Sequence, residues 1–223
     1  MTQTVLQCAD WIKLTLGGTP DAVLPTLQLV NMSGRFFVSM TRWRYLEGAE
    51  YPLDTVASQN YISLPADFSE PISIEGVSTN YSVAWVNRAV MNSLRSNPAD
   101  PVDGPISVVV ETVDGVPRLA IDPPSLSTAT GVYTLVYRAG WAELTSDTDY
   151  VTSPSGPIPL WGEALFLQVL KAHARGLQRE EQGSLDARLL EITGTPERPS
   201  PIFRAALRDD RGRQTSHGKI IGA

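Results

Sequence analysis

The stretch GVYTLVYRAGWAELTSDTDYV (131–151), followed after a short SPSGP break by IPLWGEALFLQVLKAHARGLQREEQ (158–182), sets a strand, a stop and a helix in order. Val132, Thr134 and Val136 alternate with Tyr133, Leu135 and Tyr137, the period of a strand. Both faces carry bulk, so the strand should be covered on most of both sides. Gly140 ends it. Pro159 suits the first turn of a helix, and Glu163 suits its positive end. Gln168, Lys171, Arg175, Gln178 and Gln182 form a polar stripe at three- and four-residue steps. Leu165, Phe166, Val169, Leu170 and Leu177 form the opposite, apolar face, which predicts a packing helix with Leu165, Phe166, Val169 and Leu170 buried. His173 falls on that apolar side and reads as a core or interface histidine, because no partner cluster for a base or a ligand is visible.

Outward from this stretch, the N-terminal part predicts two helices. Val5, Cys8, Ala9, Ile12 and Leu16 share one face of a helix over residues 4–16, which Gly17-Gly18 stop. Thr19-Pro20-Asp21 reads as the start of a second helix, expected to reach Leu46. Pro25 sits near its start or kinks it. Gly34 lowers propensity by about 1 kcal/mol relative to alanine, and leaves two roles open: close approach of another helix, or a bend.

From Gly48 the texture becomes rich in proline, glycine and serine. Tyr61–Leu64 and Ile72–Val77 read as strands joined by a turn-rich link, Pro65–Pro71. Ala84–Leu94 reads as a short helix with Trp85, Ala89 and Arg88 against a sheet. Ile106–Val113 and Val116–Ile121 flank Asp114-Gly115, the strongest short hairpin signal available. After Gln182, Leu185, Leu189 and Ile192 keep helical spacing until Gly194-Thr195-Pro196 breaks it. The expected fold is α+β. N-terminal helices (1–47) pack on C-terminal helices (151–196) as a bundle, a β-rich region (48–150) is inserted, and residues 197–223 form an extended tail.

Composition narrows function by exclusion. The 223 residues carry a net charge of −6, which opposes a general nucleic-acid-gripping surface. Residues 197–223 hold six basic and three acidic residues, leaving −9 on residues 1–196. Cys8 is the only cysteine, so an intrachain disulfide or a cysteine-rich metal site is excluded. No signal segment and no apolar run of about 20 residues is present, so a soluble intracellular product with no membrane partner is expected. Nucleophile-elbow, dinucleotide and zinc-protease signatures are missing. With two histidines, His173 and His217, a triad or metal cluster has little material. Asp147-Thr148-Asp149 reads as a loop cap rather than a calcium site, and Glu180-Glu181 as a solvated helix end rather than an acid–base pair. No catalytic, cofactor or metal residue is therefore assigned.

Three pieces carry a resemblance: LQLVNMSGRFFVSMTRW (27–43), YISLPADF (61–68), and YTLVYRAGWAELTSDTDYV (133–151) with the helix that follows. Together they resemble the head-to-tail adaptors of tailed bacteriophages, the connector family that includes the tail tubular protein A type. The resemblance implies a non-enzymatic ring, usually of twelve copies, in the virion neck beneath the portal. It implies a channel through which DNA passes without specific binding, and a platform for a tail or nozzle protein. An acidic body suits such a lumen, since attachment to DNA comes from phosphate neutralisation. On this reading the tail is a portal-docking arm, with Ile202, Phe203 and Leu207 as anchors and Arg198, Arg204, Arg208, Arg211 and Arg213 as contacts to carboxylates. The competing classes are a small carbohydrate-binding or carbohydrate-cleaving β-rich domain, suggested by the Trp and Tyr content, and a nucleic-acid module using the basic tail.

Overall fold

The computed structural model describes residues 2–16, 25–76, 82–97, 99–104, 106–152, 157–179 and 182–212, without the side chains of residues 177–184 and 212. The chain divides into two compact units. One joins Met1–Leu46 to Gly140–Ala223, and the other is Glu47–Ala139. In chain order, the first unit opens with β1 (Gln3–Thr4), α1 (Val5–Leu16) and α2 (Thr26–Ser39). The second holds β2 (Glu47–Thr55), β3 (Tyr61–Ser63), β4 (Phe68–Gly76), β5 (Val83–Trp85), α3 (Arg88–Ser96), β6 (Ile106–Val113), β7 (Val116–Asp122) and β8 (Ala129–Ala139). The chain then returns to the first unit with β9 (Tyr150–Thr152), α4 (Glu163–Arg179), α5 (Gln182–Thr193) and α6 (Pro201–Gly212). The α+β class follows, with the β-rich region between helical ends.

In the β unit, a three-stranded sheet ordered β2-β8-β4 and a four-stranded sheet ordered β3-β7-β6-β5 share one core. β8 is the central strand of the smaller sheet. Tyr133, Leu135 and Tyr137 are buried on its inner face with Leu53, Ile74, Val108, Leu119 and Ile121. The Asp114-Gly115 hairpin forms with both turn residues at positive φ, 53° and 79°, the conformation a two-residue primed turn requires. The sequence did not show all of this unit. β2 has no clean alternation, and β4 begins at Phe68, inside the expected link. Pro52 and Pro71 disguise them, yet both lie on the edge strands of their sheet, where a missing N–H costs no ladder bond. The expected helix over 84–94 is a strand followed by α3, capped by Asn87, whose Oδ1 accepts the Val90 N–H at 2.9 Å. Trp85, Arg88 and Ala89 are exposed rather than set against a sheet, and Met91 is the buried residue of α3.

In the helical unit, α1 buries Val5, Cys8, Ala9 and Ile12, and α2 and α4 pack on one another. α2 begins after Pro25 and stops at Ser39, not at Leu46. The Trp43 side chain explains the stop. Its Nε1 donates to the Phe37 carbonyl at 2.8 Å, and its ring stacks on Phe37 at 5.0 Å, folding the chain back under the helix. The Thr19-Pro20-Asp21 start and the Gly17-Gly18 stop lie outside the described residues, as do Glu180-Glu181. Pro159 precedes a short 3₁₀ turn, Leu160–Gly162, that leads into α4. Leu165, Phe166, Val169 and Leu170 are at most 1 % exposed. At about 1.5–3 kcal/mol for each large apolar side chain removed from water, this face is a major stabilising element of the unit. α5 extends the packing through Leu189, with Leu185 and Ile192 alongside Val169 and Ala172.

Residues 201–212 are not an extended tail. They form α6, which packs within the helical unit. The spacing of Phe203, Ala206 and Asp210 explains this, since three- and four-residue steps place them on one helix face.

Candidate assembly surface

Two of the stretches that carry the adaptor resemblance meet in the helical unit. Asn31 and Gly34 on α2 form the seat of Trp141. The Asn31 Oδ1 accepts Trp141 Nε1 and the Leu144 N–H, both at 2.9 Å, and its Nδ2 donates to the Leu144 carbonyl at 2.9 Å. A Cβ at Gly34 would overlap the Trp141 ring, so this glycine is held for close approach of an aromatic ring rather than of a helix or for a bend. Beside it, Arg35 pairs with Glu143 through both oxygens at 2.5 and 3.0 Å. That pair is exposed and contributes at most about 1 kcal/mol. The buried amide matters more, because losing it orphans donors that water does not reach.

The segment after Trp141 also anchors α1. The Asp147 and Asp149 carbonyls accept the Leu6 and Val5 N–H groups at 3.0 and 3.1 Å. The Asp149 carboxylate caps its own turn, and the Thr145 and then the Ser146 N–H hold it below the usual carboxylate range. This is the loop cap the sequence suggests. Among the described residues no group of His, Cys, Asp and Glu is placed to hold a metal ion.

His173 lies between α2 and α4, with Nδ1 3.0 Å from the Ser33 Oγ and its ring edge-on to Phe36. Both polar side chains are buried, and among the described residues no carboxylate completes a triad. Desolvation lowers the imidazole from 6.5 to about 4, against the Val169 carbonyl, which pulls the other way. Burial likewise raises the Cys8 thiol to about 12, helped by Glu163, which leaves it without nucleophilic character. Trp43 and Trp141 are core residues, so they offer no flat platform for a sugar ring.

The surfaces differ more than the interior. α6 is seated by Phe203, edge-on to Trp43 at 5.9 Å, by buried Ala206, and by Asp210. The Asp210 carboxylate accepts the Arg44 and Tyr45 N–H groups at 2.8 and 3.0 Å, capping the turn between α2 and β2. Its opposite face carries Arg204, Arg208 and Arg211, all exposed, with Arg198 exposed ahead of the helix. Ile202 and Leu207 are half-buried, and Arg213 lies outside the described residues. Sequence reasoning thus grouped an inward anchor and outward cations as one arm, which the structure separates by helix face.

Charge is divided by unit. Residues 47–139 hold eleven acidic and four basic residues, a net of −7, which leaves +1 on the rest of the chain. No described helix is long and apolar enough to cross a membrane. No curated protein sequence matches this chain. A family does: the SU10 adaptor protein family matches residues 4–205, from β1 through the whole β unit to the first turn of α6. On that match the chain belongs to the SU10 adaptor protein family, a family of phage head-tail adaptors with a structural role.

Proposed function

We propose that the protein is a ring-forming head-to-tail adaptor in the virion neck, twelve copies sitting beneath the portal, extending the DNA channel and offering a platform to a tail protein. The family match across residues 4–205 carries this reading. The charge division supports it, since an acidic β unit does not hold DNA phosphates, while the exposed arginines sit on the helical unit.

The portal contact falls on α6. Arg204, Arg208 and Arg211 lie on one helix face and present guanidinium groups that suit carboxylates. Arg198 and the half-buried Ile202 and Leu207 flank them, whereas Phe203 is committed to Trp43. Deleting residues after 196 would remove part of the unit's packing, so charge reversal is the sounder test. Arg204→Glu, Arg208→Glu and Arg211→Glu together leave the Phe203, Ala206 and Asp210 seat intact. The triple variant should melt like the parent and fail to join portal-bearing heads. Normal attachment would remove α6 from the portal contact, and imaging of particles with the protein away from the portal axis would overturn the neck assignment.

A further inference from the structure

A groove of about 470 Å³ runs between α4, α5 and the start of α6. Lys171 and Arg175, one turn apart on α4, line it together with Arg188 of α5 and with Ala172, Ile192 and Ile202. Among the described residues none of these three cations has a hydrogen bond or an ion pair, and the Arg188 Nη1 is buried with no acceptor. A buried guanidinium nitrogen without an acceptor is unfavourable as it stands, and calls for a partner that brings one. Glu191, also at the groove, leaves its net charge at +2.

The β unit carries a surface of matching chemistry. Residues paired across an antiparallel ladder share a face. In the β2-β8-β4 sheet the register sets Glu47, Arg138 and Glu70 in one row, Glu50, Val136 and Ser73 in the next, and Pro52, Thr134 and Glu75 in the third. This is the face opposite buried Tyr133, Leu135 and Tyr137, and it holds four carboxylates against one guanidinium. Glu50, Glu70 and Glu75 are exposed on it.

We propose that the Lys171–Arg175–Arg188 groove of one copy receives the carboxylates of the β2-β8-β4 sheet face of a second copy. The two surfaces are different parts of one chain, so the contact is head-to-tail and repeats around a ring. The inference rests on the ring reading above and adds which surfaces join. DNA phosphates are the other occupant that the test distinguishes.

The test uses the full chain, assembled alone or on its portal. Carbodiimide coupling of a mixture of isotopically labelled and unlabelled copies should join Lys171 to Glu50, Glu70 or Glu75 between chains. Variant A (Arg175→Glu, Arg188→Glu) and variant B (Glu50→Lys, Glu75→Lys) should each self-associate at least about tenfold more weakly than the parent. Mixed one to one they should assemble again, because each then meets its complement on both sides. If the parent forms rings and A and B do so equally well, the groove is not the contact, although the ring stands. Loss of DNA binding in A without loss of self-association assigns the groove to phosphates and overturns the proposal. A chain that stays monomeric in both settings overturns the ring and this contact together.

Discussion

Single side chains show where this protein spends its polar groups. Asn31 makes three hydrogen bonds while nearly buried, and Asp210 two, each to backbone or indole groups that would otherwise be orphaned. His173 is the costly one. The folded chain keeps it neutral down to about pH 4, whereas the unfolded chain protonates near 6.5. The unfolded state therefore binds the extra proton between those values. The contribution is fully present above pH 6.5 and fades as pH falls towards 4, by about 3 kcal/mol in all. His173→Gln, which keeps a hydrogen-bonding group for Ser33 without the titration, should flatten the pH dependence of urea stability across that window. An unchanged slope would move the acid sensitivity to other groups.

At the scale of elements, α4 bears the most weight. Val169 has no exposed surface and touches α5 and α2 side chains, so Val169→Asp would bury an unpaired charge and cost several kcal/mol. Thermal unfolding should show a fall of many degrees, and an unshifted melt would contradict this packing face. The α4 face was legible because a 3.6-residue period repeats over several turns, and β8 and the Asp114-Gly115 hairpin because a two-residue period and an obligate turn are local signals. β2 and β4 were hidden for the opposite reason. Their edge positions tolerate proline, so the usual strand signature is absent. Charge dominates the composition of α6, so these residues read as a tail, while its inward face rests on Phe203, Ala206 and Asp210, and the partners Trp43, Arg44 and Tyr45 lie far away in sequence. The seat of Trp141 was equally out of reach, for spacing cannot reveal that Asn31 and Gly34 meet a residue a hundred positions later. The groove was half visible: Lys171 and Arg175 belonged to the polar stripe, but Arg188 joins them only because α5 packs on α4.

The whole molecule is one unit interrupted by another. Glu47 pairs with Arg138, so the chain enters and leaves the β unit at neighbouring positions of one sheet, and that unit has its own core. Residues 47–139 expressed alone should give a cooperative thermal transition with a β-rich circular dichroism spectrum. A broad, non-cooperative melt would mean that the helical unit is needed to complete it. The arrangement also sets a timetable. Trp43 and Tyr45 are built early, but Phe203, which packs on the Trp43 ring, and Asp210, which caps the Tyr45 N–H, lie some 160 residues downstream. At roughly 5–20 residues per second on the ribosome, those rings wait on the order of ten seconds or more for their cover. In the interval the β segment has already emerged whole. A nascent chain of this kind displays an aromatic patch to chaperones until α6 has been made, and its two parts mature at different times although they belong to one polypeptide.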